Sequence, residues 1–259
     1  MVFVYHRSLA TRAGRCGALA NAGAAGHPSR VEDYSSPDMP IALAATVIVL
    51  RDAPGGPEIL MLQRATKLVF HGGSWVFPGG RVDALDTVEG DAEATARRAA
   101  VRECQEEAGL SLTPDELLPV SHWTTPIGRP RRFATWFFAA VVDASGATPV
   151  DVVVDGSEIQ AHRWLRAEDA LAEHARGELD LPPPTFVTLW VLRAFGSTDE
   201  VSAFLRKSEP IVYLPRPYEV EDGLLSLYQG DVAYEGGPVD GPGPRHRLHM
   251  RTSGWHYEQ

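Results

Sequence analysis

The run RECQEEAGL at residues 102–110 sets Glu103, Glu106 and Glu107 at positions i, i+3 and i+4. On an α-helix that spacing stacks three carboxylates on one face, within reach of one another. Like charges held so close repel, and two arrangements relieve them. One is a hard divalent cation bound through oxygen; the other is a fully solvated acidic face. The cations that fit best are Mg²⁺ and Mn²⁺, which take carboxylate, water and phosphate oxygen together.

A helix must present these groups, and its ends are legible. Asp91 is a suitable N-cap, with Glu93 in the first turn where the helix dipole favours acids. Ala96, Ala100, Val101 and Cys104 form the apolar stripe, and Gly109 suits the left-handed stop. Just upstream, a strand ending in Pro78-Gly79-Gly80 makes a tight exposed turn that a ligand can approach closely.

Together these residues resemble the Nudix box, G-x5-E-x7-R-E-U-x-E-E-x-G-U, where U is a bulky apolar residue. Arg102, Glu103, Cys104 (at U), Glu106, Glu107, Gly109 and Leu110 match its second half. The resemblance implies an α/β fold: a Nudix-type α/β/α sandwich with a mixed β-sheet and a loop-helix-loop metal site. It implies Mg²⁺ or Mn²⁺ held by Glu103, Glu106, Glu107 and Gly80, and cleavage of a nucleoside diphosphate linked to another group. The first half of the box departs from the pattern. An insertion stretches the chain between Gly80 and Arg102, and Ala94 stands where the box has a glutamate. Glu93 is one position off, while Asp83, Asp86 and Glu89 fall in the insertion. In the family that glutamate supports the arginine and the loop, so its loss bears on loop geometry more than on chemistry.

Two further stretches resemble the coenzyme A-directed branch. In LMLQRATKLVFHGGSWVFPGG, residues Leu60, Arg64, Leu68, His71, Gly73, Phe77, Pro78, Gly79 and Gly80 match its signature. Val69, Ala65 and Trp75 depart from it. After the box, Trp123, Thr125 and Pro126, then RRFATWFF from Arg131 to Phe138, resemble coenzyme A diphosphatase-like enzymes whose box also carries an insertion. The function implied is metal-dependent hydrolysis of coenzyme A or an acyl-coenzyme A. ADP-ribose or a dinucleoside polyphosphate is the alternative substrate. A non-catalytic nucleotide-binding regulator with a degenerate box, and a scaffold with a merely acidic helix, are the rival classes.

Within that reading Glu103, Glu106 and Glu107 serve catalysis as well as metal binding. Glu158 follows a Gly156-Ser157 turn and is either the outside carboxylate that takes the water's proton or an exposed strand-end acid. Arg102 braces the helix by ion pairing, and Gly109 closes it. Arg64, Arg131 and Arg132 offer planar guanidinium forks for phosphate, or are surface arginines. His71 meets a phosphate or caps a turn.

The chain has 259 residues and a formal charge of −10. That balance excludes a non-specific nucleic-acid binder, which needs a basic face. An anionic substrate must instead be recruited locally, by metal and a few arginines. Two cysteines, Cys16 and Cys104, make neither a disulfide framework nor a four-cysteine zinc site, and fit a reducing cytoplasm. No apolar stretch reaches membrane-spanning length. The expected partner is a small nucleotide, without nucleic acid or membrane, acting on a monomer or homodimer.

Residues 1–38, rich in Ala, Gly, Arg and Ser, are expected to form a disordered extension, or to precede a true start at Met39. The Nudix domain is expected over 39–235, and a C-terminal segment packed on it over 236–259. Within the domain, strands are expected at 42–51, 58–63, 73–77, 117–125, 133–142 and 158–165, and helices at 167–176, 185–195 and 199–207. Short strands are expected at 211–214, 224–227 and 247–251.

Overall fold

The computed structural model describes residues 40–67, 72–129, 131–142 and 151–259. The expected N-terminal extension and His71 lie outside these residues. In chain order the elements are β1 (Ile41–Arg51), β2 (Glu58–Arg64), β3 (Trp75–Val76), β4 (Gly79–Arg81), α1 (Ala92–Ala108), β5 (Leu118–Thr124), β6 (Arg132–Val141), β7 (Ile159–Arg166), α2 (Ala167–Ala175), α3 (Pro183–Leu192), α4 (Thr198–Leu205), β8 (Ile211–Tyr213), β9 (Arg216–Val220), β10 (Gly223–Leu227), β11 (Arg247–Arg251) and β12 (Gly254–Glu258).

The first strand is apolar almost without break from Ala42 to Leu50, as a strand covered on both faces must be. Ala45, Val47 and Val49 pack on one face with Ala96, Ala99, Ala100 and Cys104 of α1. Ile48 and Leu50 pack on the other with Leu189, Leu192, Val201 and Leu205 of α3 and α4. This two-residue alternation places helices on both sides of one sheet, the expected α/β/α sandwich. The sheet is mixed: β6 runs parallel to β1 over its whole length, while β2 and β4 pair with β1 antiparallel.

β1 and β2 follow one another across a short turn but pair only briefly. The two strands pair at Leu50↔Ile59 and Arg51↔Glu58. From there β2 pairs along its length with β7, from Glu58↔Arg166 to Arg64↔Ile159. The edge of β1 so vacated is taken by β4, through Ala44↔Arg81, Ala45↔Gly80 and Thr46↔Gly79. That exchange seats the glycine turn beside the central strand, directly under α1.

Beyond α4, β8 adds to the main sheet parallel to β5, and β9 to β12 form a separate four-stranded antiparallel sheet. β10 and β11 fall on opposite sides of the expected boundary at 235/236 and pair over five positions. Leu248, Met250 and Tyr257 from this second sheet, with Tyr228 just after β10, share a core with Ile48, Leu50 and Phe137 of the first. No helix among the described residues is long and apolar enough to cross a membrane.

Candidate active site

Helix α1 begins and ends as its sequence requires. The Asp91 side chain accepts from the Ala94 N–H at 2.8 Å, and Gly109 closes the helix at φ 70° with its N–H donated to Gln105. Its contact face is mostly alanine, which lets the backbone approach the sheet closely. Cys104 is fully buried there, and burial pushes its thiol up to about 12, so it is an inert core residue.

The three glutamates occupy different surroundings. Glu107 is 7% exposed and accepts from the Gly79 N–H at 2.9 Å. Burial pushes its carboxyl up to about 7; the Gly79 N–H opposes the rise, the Glu103 charge adds to it, and the Arg64 charge opposes it. Glu103 is also raised, first by burial, against the Arg102 charge. Its carboxyl lies so close to Gly80 that a Cβ there would fall inside its van der Waals shell. Glu106 is exposed and pairs with Arg102 at 2.9 Å.

Arg102 is the hub of the box. It donates to Glu103 at 3.0 Å, to Glu106, and to the Arg81 carbonyl at 2.9 Å. Its strongest partner is Asp86, reached through Nε and Nη2 at 2.9–3.3 Å. Asp86 is 4% exposed and sits on a 3-10 turn, Ala84–Asp86, inside the insertion; it also accepts from the Asp83 N–H. Burial alone would raise its carboxyl, but Arg102 and Asp83 outweigh burial and hold it below the ordinary value. Asp86 thus gives Arg102 a buried carboxylate partner from within the insertion. Glu93 pairs instead with Arg97, which reaches the Pro114 and Leu117 carbonyls. The only sequence signal for Asp86 is an acid within the insertion, one of three there.

Arg64 ends β2 buried, with Nε lacking a hydrogen-bond partner among the described residues and Nη2 lying 3.7 Å from Glu158. The Glu158 side chain is 60% exposed. Asp155 accepts the backbone N–H groups of Ser157, Glu158 and Ile159, which fixes the turn that presents it. Arg132 opens β6 opposite Ile41 and donates to the Thr125 carbonyl at 3.3 Å. Arg131 is exposed beside it. Arg64 and Glu158 are therefore brought to the side of the carboxylates, whereas Arg132 sits at the start of β6, four residues before Trp136, the position in register with Gly80, and is turned to the Thr125 carbonyl.

Among the described residues no three acidic, histidine or cysteine side chains close on one point. The Arg102 guanidinium stands between Glu103 and Glu106, while Glu107 turns in toward Gly79. The donor set nevertheless fits a hard cation. Buried Glu107 and half-buried Glu103 are both raised, chiefly by burial, and the side-chain-free Gly80 leaves backbone open against Glu103.

The sequence profile of the NUDIX domain matches residues 40–184. The chain is 31% identical over 139 residues to the acyl-coenzyme A diphosphatase NUDT19 of Homo sapiens, covering 49% of this chain and 35% of that protein. It thus spans about a third of that relative's length. It is 30% identical over 184 residues to the putative 8-oxo-dGTP diphosphatase 3 of Mycobacterium tuberculosis, covering 70% of this chain and 74% of that protein. The crystal structure of a NUDIX hydrolase from Alicyclobacillus acidocaldarius matches with a TM-score of 0.55 at 26% identity, over 64% of this chain and 97% of that one.

Proposed function

The chain belongs to the Nudix family of hydrolases, and we propose that it cleaves the diphosphate linkage of coenzyme A or an acyl-coenzyme A with the help of Mg²⁺ or Mn²⁺. The observation that carries the reading is the pair of raised carboxylates, half-buried Glu103 and buried Glu107, set against the backbone of Gly79 and Gly80. A divalent ion at that place supplies charge neutralisation for a diphosphate and a bound water of lowered pKa. Glu103 and Glu107 would hold it, with the Gly80 backbone beside them, and Glu106, exposed and paired with Arg102, would be the third carboxylate. Glu158, on its fixed turn, takes the proton of the attacking water. Arg64 offers buried positive charge to the phosphates, and Asp86 keeps Arg102 aligned along the helix.

Coenzyme A is favoured over other diphosphates by the Leu60–Gly80 signature and by the likeness to an acyl-coenzyme A diphosphatase. The likeness to a putative 8-oxo-dGTP diphosphatase is the counterweight. A metal-dependent screen of coenzyme A, an acyl-coenzyme A, ADP-ribose, a dinucleoside polyphosphate and 8-oxo-dGTP, with products identified by mass, decides between them. The expected products are adenosine 3′,5′-bisphosphate and a phosphopantetheine. Preference for another diphosphate removes the coenzyme A assignment alone; no turnover of any with either metal removes the catalytic reading.

A further inference from the structure

Gly80, Ala45, Trp136, His122 and Val212 stand in one row across five strands, each paired with the next. Neighbouring strands are roughly 4.8 Å apart, so Trp136 lies about 10 Å from the glycine that touches the Glu103 carboxyl. Ala45 packs under α1, and Trp136 lies partly buried against the same core, which puts the row on the catalytic side of the sheet.

Along β6 the cover of α1 ends within this row. Phe138 is buried, with the Arg97 guanidinium 5.1 Å over its ring. Trp136, two residues earlier and on the same face, is half-buried and stacks on Phe138 at 5.8 Å and 12°. The next place on that face is Ala134, whose single methyl leaves the continuation of the stack open. Leu43, 49% exposed, and Thr124 flank it as cross-strand partners. His122 meets the Trp136 ring edge-to-face at 5.0 Å. Burial lowers the basicity of His122.

We propose that the nucleobase of the substrate seats on this face, stacked on Trp136 over Ala134, with its diphosphate at the α1 carboxylates. The inference rests on the diphosphate reading above and adds the residues that select the nucleoside. The face is continuous with the carboxylate site, separated from it by about the reach of a nucleoside from its 5′-phosphates to its base. Stacked parallel rings with an open third position suit a flat heterocycle better than a flexible chain.

The test is calorimetric titration of ADP and of inorganic pyrophosphate, each with Mg²⁺, into the full chain. Trp136→Ala and Ala134→Leu, which remove the platform and fill the slot, should each weaken ADP about tenfold or more, the order of one lost base stack. Trp136→Phe keeps a stacking ring and should stay within about threefold of wild type. Pyrophosphate affinity should be unchanged in all three. ADP affinity that is absent in wild type, unchanged in both altered chains, or lost together with pyrophosphate affinity overturns the proposal. So does an Ala134→Leu chain that loses an acylated pantetheine but keeps ADP, since an acyl chain would then own the face. A wild-type protein that hydrolyses none of the screened diphosphates yet shows the ADP contrast keeps this base site and loses the hydrolase reading.

Discussion

Glu107 combines a chemical position with very little solvent. Its carboxyl stands at about 7 when folded, against 4.5 for the free side chain, because burial disfavours the charge. A carboxyl raised on folding supports the folded state below its unfolded value, and that support is lost as pH rises through the folded value. Without a cation the chain should therefore lose stability between about pH 4.5 and about 7. The ionised carboxylate is the form that binds metal, so metal binding and proton release are linked. The rise in Tm produced by excess Mg²⁺ should accordingly be small near pH 5 and larger near pH 7.5, and Glu107→Gln should flatten that trend. An Mg²⁺ effect that is equal at both ends of the range, or missing at both, removes the cation from this pair. Turnover gives a second check: Glu107→Gln and Glu106→Gln should each lower kcat by about a hundredfold or more with the fold retained. If both keep wild-type turnover, α1 is not the catalytic centre. Asp86 has the opposite sign, since its lowered carboxyl stabilises the fold above its ordinary value of 3.8 and that contribution fades as pH falls. Asp86→Ala should cost about 1–3 kcal/mol, the worth of hydrogen bonds to a charged group. It should also reduce kcat through a misaligned Arg102, measured by chemical denaturation and by initial rates.

One element, the glycine turn that becomes β4, decides whether the helix has anything to act with. Gly79 and Gly80 are adjacent, yet a side chain would do different harm at each. At Gly79 a Cβ would strike the Thr46 hydroxyl and the Ala45 carbonyl, which belong to the central strand and cannot give way. At Gly80 the nearest atoms it would strike belong to the Glu103 carboxyl, the end of a flexible side chain. Gly79→Ala should therefore destabilise the fold by about 2 kcal/mol or more, while Gly80→Ala should lower kcat and metal affinity with Tm nearly unchanged. Equal Tm losses in the two proteins would contradict this division of labour. The same element shows what a sequence can and cannot announce. Caps and periodicity are local, so Asp91, Gly109 and the alanine face of α1 were legible. The placement of Glu103, Glu106 and Glu107 on that helix was legible too, but their divergence, with Glu107 turned in to Gly79 and Glu106 exposed against Arg102, was not. The Asp86–Arg102 bond was not, because it joins residues across an insertion whose 3-10 turn has no distinctive pattern. The departure of β2 from β1 was hidden for a related reason: pairing partners are chosen by tertiary packing, and Glu58–Gln63 reads as a strand whichever neighbour it takes. β9 escaped notice because RPYEV contains a proline, and β12 because GWHYE, although Trp255 and Tyr257 alternate with polar residues, is a five-residue stretch with only two apolar positions.

At the scale of the whole molecule, the second sheet is a structural part of the domain that carries the site. Tyr213 of β8 stacks on Trp123 of β5 at 3.8 Å, and Tyr228 meets the same indole edge-on. Trp123 in turn contacts Phe137, which sits edge-on to Phe77 just before the glycine turn. An aromatic chain thus runs from the C-terminal sheet to the residue that precedes Pro78. In the loop that joins β10 to β11, Asp231 receives Arg247 through two hydrogen bonds of 2.6 Å, with both side chains almost wholly buried. Asp231 also accepts from the N–H groups of Ala233 and His246, so the loop between β10 and β11 is organised around one carboxylate. Removing one partner of such a pair leaves a buried charge without compensation, which costs about 3–5 kcal/mol. Asp231→Ala should therefore lower the stability of the whole chain by that order. The loss should appear as one cooperative transition, because the shared core leaves the second sheet no independent unit to unfold. Urea denaturation followed by tryptophan fluorescence and by loss of hydrolytic activity should give coincident curves, shifted to lower urea than wild type. At temperatures where the variant is still folded its kcat should match wild type, since Asp231 touches none of the α1 carboxylates. Two separated transitions, with activity surviving the first, would show that the C-terminal sheet is an appendage and that the aromatic chain carries no stability to the site.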